Sequence, residues 1–147
     1  MTESAVRLKL REASSPDQYR DPELAHRASV SSTGKRTKQF LALQGDEEVG
    51  FVSLDFLPEI GTLALYELFV PKAHRRSGIG TALVAIVEQM AREQGFERVT
   101  LTPHAFERDW SLPALKAWYR RLGYAERGDV PSEFKKPVKP DAAVRVR

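Results

Sequence analysis

The feature that most narrows the fold is the junction "HRRSGIGTAL", His74 to Leu83. An apolar run, "GTLALYELFV" (Gly61 to Val70), precedes it and reads as a strand. Its second half is nearly all apolar, which places it centrally in a sheet rather than at an edge. Behind the junction Ile79, Ala82, Leu83, Ile86, Val87, Met90 and Ala91 recur at helical spacing until Gly95, a suitable C-cap. A strand thus runs through two bare glycines straight into a helix. A helix N-terminus leaves about four backbone N–H groups without partners and carries partial positive charge. An anion docked there satisfies both. Gly78 and Gly80 offer no side chain to obstruct it and permit φ > 0. Arg75 and Arg76 add positive charge and forked donors. The competing readings are a tight turn without a ligand and, for Arg76, a solvated basic residue.

The remaining chain supplies the frame. "AVRLKLR" (Ala5 to Arg11) alternates as a half-buried strand does. A short helix is expected over Pro22 to Val30, with Asp21 as N-cap and Pro22 at the first helical position. "KQFLALQ" (Lys38 to Gln44) and "VGFVSLDF" (Val49 to Phe56), separated by "GDEE", read as a hairpin. "RVTLTP" (Arg98 to Pro103) is a further strand. "LPALKAWYRRL" (Leu112 to Leu122) is a helix opened by Ser111 and ended by Gly123, and "SEFKKPV" (Ser132 to Val138) is a last strand. Hairpins first and alternating β and α segments later predict an α/β (α+β) fold: a mixed, mostly antiparallel central sheet flanked by helices. With 147 residues one domain is expected, its core about 38–138 and its tail 139–147.

The anion can be narrowed by what the junction lacks. A P-loop needs glycine, four residues, then Gly-Lys-Ser/Thr, which is absent. A dinucleotide fingerprint needs a third glycine where Leu83 stands. What remains is Arg75-x-x-Gly78-x-Gly80. Here the chain resembles the GNAT superfamily of acyl-CoA-dependent N-acyltransferases, in which Gln/Arg-x-x-Gly-x-Gly/Ala caps the pyrophosphate of coenzyme A. "ELFVPKAHRRSGIGTALV" matches the family's strand, loop and helix, and "ALKAWYRRLGY" its later helix ending in Tyr-x-x-x-Gly-Phe/Tyr. The resemblance is strongest from Thr62 to Tyr124.

The resemblance implies an N-acetyltransferase that passes the acetyl group of acetyl-CoA, its cosubstrate, to an amine by direct attack. Arg75, Arg76, Ser77, Gly78, Ile79, Gly80 and Thr81 would hold the pyrophosphate. The main chain of Leu68, Phe69 and Val70 would pair with the pantetheine arm and polarise the thioester carbonyl. In the family a carboxylate on the strand before the loop often serves as base, and Glu67 stands there; the acid beside the leaving thiolate corresponds to Tyr119. The residues alone leave alternatives. A charged group in a central strand costs free energy unless it is paired or faces a cleft. Glu67 therefore reads as a base, as half of an ion pair with an arginine, or as a strand-end residue in water. Tyr119 shares a helical face with Leu112, Leu115 and Leu122 and fits packing as well as catalysis. Ser111 and Leu112 stand where the family often keeps an asparagine, and "HAFERDW", with His104, Glu107, Arg108 and Asp109, reads as a solvated loop or an acceptor-side wall.

Composition sets outer bounds. The absence of cysteine excludes disulfides, thiolate metal sites and a cysteine-bound acyl intermediate. His26, His74 and His104 lack metal spacing, so no metal is expected. No apolar run is long enough for a membrane span and the start does not read as a secretory signal, which fits a cytoplasmic protein. The net charge of +3 favours anionic ligands in general. Lys35, Arg36, Lys38 and the basic C-terminal run carry no nucleic-acid motif, so nucleic acid is not an expected partner. A homodimer is compatible with the reading. The competing function is a non-catalytic acyl-CoA-binding sensor or partner module.

Overall fold

A computed structural model of the chain describes residues 6–31, 33–75, 77–103, 111–130 and 132–141. Among these residues seven strands form one sheet in the hydrogen-bonded order β1-β2-β3-β4-β5-β7-β6. These are β1 (Lys9–Glu12), β2 (Thr37–Gln44), β3 (Glu47–Leu57), β4 (Thr62–Phe69), β5 (Arg98–Leu101), β6 (Ala125–Glu126) and β7 (Phe134–Pro137). The described residues also form three α-helices: α1 (Pro22–Val30), α2 (Ile79–Glu93) and α3 (Leu112–Arg121). The strand with the expected central place, β4, is fourth of the seven. The chain divides into two compact units, Met1–Phe56 with Tyr66–Val87, and Leu57–Leu65 with Glu88–Arg147.

In the first unit, α1 starts where Asp21 Oδ1 accepts the N–H groups of Glu23 (2.9 Å) and Leu24 (3.1 Å), with Pro22 in the first turn. Leu24 and Ala28, one helical turn apart, bury into a core with Ala13, Tyr19, Leu41, Phe51 and Phe69. The hairpin is tighter than its "GDEE" spacing implies. Gln44 already pairs with Glu47, so the turn is Gly45 and Asp46, with Gly45 at φ 62°. Glu47 and Glu48 therefore belong to β3. Glu48 is buried, and its Oε1 accepts the N–H groups of Arg20 (2.8 Å) and Asp21 (2.7 Å), fixing the chain at the start of α1. A bulge after Ala42, which pairs with Gly50 while Leu43 pairs with Glu48, leaves Val49 as the extra residue. A Cβ on Gly50 would stand 2.9 Å from Leu83 Cδ1 and 3.5 Å from the Phe69 carbonyl oxygen, so the glycine lets α2 lie close over β3. Ile79, Leu83, Val84 and Val87 bury the inner face of that helix. β1 begins at Lys9, later than the alternating pattern from Ala5 suggests.

In the second unit, β4 and β5 run parallel from Thr62↔Arg98 to Leu65↔Leu101, and Tyr66–Phe69 lie beyond the last pair. β7 pairs antiparallel with β5, and the two-residue β6 lies outside β7. Ser111 opens α3 by accepting the Ala114 N–H (3.2 Å), and Gly123 leaves the helix at φ 101°. Glu88, buried on the later part of α2, accepts from the Tyr124 hydroxyl (2.9 Å) and from Lys136 Nζ (3.0 Å), and Lys136 also donates to the Leu122 carbonyl (2.9 Å). Among the described residues no helix is long and apolar enough to cross a membrane, and no three acidic or histidine side chains cluster as a metal would need.

Candidate active site

The junction takes the form that the two glycines suggest. β4 ends at Phe69, a single 3-10 turn covers Lys72–His74, and α2 begins at Ile79. Gly78 stands at φ 84°, a left-handed conformation open to glycine and strained for other residues. The first bond of the helix ladder runs from the Ala82 N–H to the Gly78 carbonyl (3.0 Å). The amides before Ala82 precede that ladder and form the donor-rich end of α2. Ile79 is buried and Gly80 half-buried, whereas Ser77, Gly78 and Thr81 are exposed, so the turn presents its main chain to the outside.

Side chains brace this loop from below. Arg75 Nε donates to the Val70 carbonyl (2.9 Å), and its guanidinium lies 5.7 Å from the centre of the Phe69 ring. The motif arginine thereby ties the loop to the end of β4. The Val70 carbonyl keeps a second lone pair beside that bond. Ser77 Oγ donates to the His74 carbonyl, and His74 Nε2 lies 3.5 Å from Glu47 Oε2 at the start of β3. Arg76 lies outside the described residues, as do His104, Glu107, Arg108 and Asp109 of "HAFERDW".

Glu67 is buried, with 6% of its surface exposed, and its surroundings are not the apolar ones its sequence neighbours suggest. Burial alternates along β4: Tyr66 is exposed, Glu67 and Phe69 are buried, and Leu68 is half-buried between them. Glu67 shares its face with Phe69, and both meet α1. Arg27 Nε lies 3.3 Å from Glu67 Oε2, and its guanidinium sits 5.4 Å from the centre of the Phe69 ring. Ser31 Oγ donates to Glu67 Oε1 at 2.8 Å. Phe69 therefore has guanidinium groups from both α1 and the glycine loop near its ring. Neither Arg27 nor Ser31 is marked by any motif. The available signal is indirect: a carboxylate in a central strand demands a cation or a donor, and α1 carries both.

Tyr119 occupies the last full turn of α3 in the second unit and is buried. Its ring lies 4.7 Å from that of Trp118 and 5.9 Å from that of Tyr124. Burial holds its phenol above the ordinary tyrosine value, so it stays protonated. The Tyr119 carbonyl accepts the Tyr124 N–H at 3.0 Å, closing the helix end.

Comparison with known proteins identifies the family. The model of the Acetyltransferase (GNAT) family matches residues 5–124. Human N-acetyltransferase 8 is 41% identical over 66 residues, 45% of this chain and 27% of that protein, so the matched part spans about a quarter of the relative's length. The structure of the ribosomal-protein-S18-alanine N-acetyltransferase from Escherichia coli superimposes with a TM-score of 0.64 over 92% of this chain and 97% of that one, at 17% identity. The PaiA N-acetyltransferase from Thermoplasma acidophilum, solved in complex with coenzyme A, does so with a TM-score of 0.59 over 89% and 99%, at 14% identity. The structural likenesses establish the fold, and the family model covers strand, glycine loop and both later helices: the chain belongs to the GNAT acetyltransferase family.

Proposed function

We propose that this protein is an N-acetyltransferase that moves the acetyl group of acetyl-CoA to an amine by direct attack within a ternary complex. The observation that carries the reading is the bare, left-handed Gly78 turn at the head of α2. It exposes main-chain amides and partial positive charge where a diphosphate would dock. Ser77, Ile79, Gly80 and Thr81, together with Arg75 and Arg76, complete that cradle in the reading. The backbone of Leu68, Phe69 and Val70 takes the pantetheine arm, and an amide there polarises the thioester carbonyl.

Glu67 is the base that removes the proton from the attacking nitrogen. Its burial and its anchoring by Arg27 and Ser31 support the role, since a base must be held in one orientation to act. Tyr119 is the acid for the departing thiolate in this reading; its phenol is protonated at neutral pH and can hydrogen-bond the sulfur or give it a proton. The acceptor is a small-molecule amine or the amine of a peptide or protein.

Purified protein incubated with acetyl-CoA and a panel of amines should release free thiol only when an amine is present. Glu67→Gln should lower kcat by about 10²-fold or more while leaving coenzyme A affinity within about twofold. Tight binding without turnover across polyamines, aminoglycosides, amino acids and short peptides would instead indicate a non-catalytic acyl-CoA-binding module.

A further inference from the structure

The proposed base is buried, and the groups around it define how a proton reaches it. Glu67 Oε2 faces Arg27, whose guanidinium also lies 5.4 Å from the centre of the Phe69 ring. Oε1 faces the Ser31 hydroxyl at 2.8 Å. These two neighbours differ in chemistry. A guanidinium only donates, so Arg27 can stabilise the carboxylate but cannot take a proton from an amine and pass it inward. A hydroxyl gives one proton and accepts another at the same oxygen. Ser31 is also placed between inside and outside: it is half-buried where Glu67 is 6% exposed. Its backbone is fixed as the C-cap of α1, with its N–H on the Arg27 carbonyl at 3.0 Å. Arg27 and Ser31 are thus linked through the helix end, one in an ion pair with Oε2 and the other hydrogen-bonded to Oε1 of the same carboxylate.

We propose that Ser31 is the proton relay between the acceptor amine and Glu67, an inference that rests on Glu67 being the base. The nitrogen lone pair forms the C–N bond to the thioester carbonyl carbon. The proton on that nitrogen moves to Ser31 Oγ as the serine's own hydroxyl proton moves to Glu67 Oε1. The C–S bond breaks, its electron pair leaves on sulfur, and the thiolate takes a proton from solvent or from Tyr119, which solvent then reprotonates. Ser31 ends as it began, Glu67 ends as a carboxylic acid, and solvent later removes that proton. Arg27 acts only as a positioning residue, keeping Oε1 turned to the serine.

The test combines Ser31→Ala, Ser31→Thr, Glu67→Gln and the double variant Ser31→Ala/Glu67→Gln, with folding checked by circular dichroism and by coenzyme A affinity. Ser31→Ala should lower kcat by roughly 10- to 100-fold at unchanged coenzyme A affinity, and Ser31→Thr, which keeps the hydroxyl, should restore most of it. The double variant should be no slower than Glu67→Gln alone, because groups acting as one unit are not additive. Under conditions where chemistry limits the rate, kcat of the unaltered protein in mixtures of light and heavy water should curve downward, as two protons in motion require. A straight dependence in the unaltered protein overturns the relay without recourse to any variant. Additive losses, or a threonine variant as slow as the alanine one, also overturn it. A normal Ser31→Ala with an impaired Glu67→Gln removes the relay and leaves the base, whereas an unimpaired Glu67→Gln removes the base and the relay with it.

Discussion

At the scale of single residues, the decisive arrangement is a carboxylate whose two oxygens face a helix and its C-cap residue. Glu67 would be costly in the middle of a strand without Arg27 and Ser31, and Arg27 would be a partly desolvated cation without Glu67. Removing the arginine should therefore hurt more than its packing explains. Arg27→Met should lower the unfolding free energy by about 1–3 kcal/mol, below the loss for a fully buried pair because part of the arginine side chain meets solvent. The same substitution in a Glu67→Gln background should cost less, and urea denaturation of the four proteins measures the difference. Equal costs in both backgrounds would mean that the pair carries no coupling. The oddness of Glu67 is legible in "LYELFV", because an acid among apolar residues in a central strand needs an explanation. Its partners are not legible, since the serine stands 36 residues away and only the folded chain brings α1 over β4. The same holds for Glu48, which looks like part of a polar turn and is in fact the buried acceptor that sets the start of α1.

At the scale of elements, legibility follows the range of the forces involved. The limits of α1 can be read from Asp21 and Pro22, because capping and a fixed proline φ act within one turn. The start of α2 can be read from Gly78 and its end from Gly95, both at positive φ, for the same reason. The sheet order cannot. That β7 inserts between β5 and β6, and that β6 exists at all as Ala125–Glu126, depends on pairing between distant segments. The glycine turn yields the prediction at this scale. Gly78 sits at φ 84°, and among the described residues a Cβ there would meet Val6 Cγ2, at 3.4 Å, so the cost of a side chain is chiefly one of backbone conformation. Gly78→Ala should lower stability by about 1–2 kcal/mol and weaken coenzyme A binding by roughly tenfold, read by denaturation and by calorimetry. An alanine variant of full affinity would show that the left-handed turn does not shape the proposed anion site.

At the scale of the whole molecule, three tyrosines are shifted in one direction. Burial pushes the Tyr19 phenol up to about 12, aided by the Glu48 charge. Burial also raises Tyr119, and it raises Tyr124 with help from Glu88. In the unfolded chain each ionises near the ordinary phenol value of about 10. Above that pH the unfolded state binds fewer protons than the folded one, so stability is full below about pH 10 and falls as pH rises beyond it. Urea midpoints measured at rising alkaline pH should drop, and Tyr124→Phe should make the drop shallower. A flat profile would contradict the burial of these rings. Fold class was open to a reader of the chain, and the proposed anion site rests on the same short stretch of strand, two glycines and helix. Calorimetric titration of the folded protein with coenzyme A examines that stretch most directly. The account predicts saturable binding that weakens as salt rises; no heat of association at millimolar coenzyme A would contradict it.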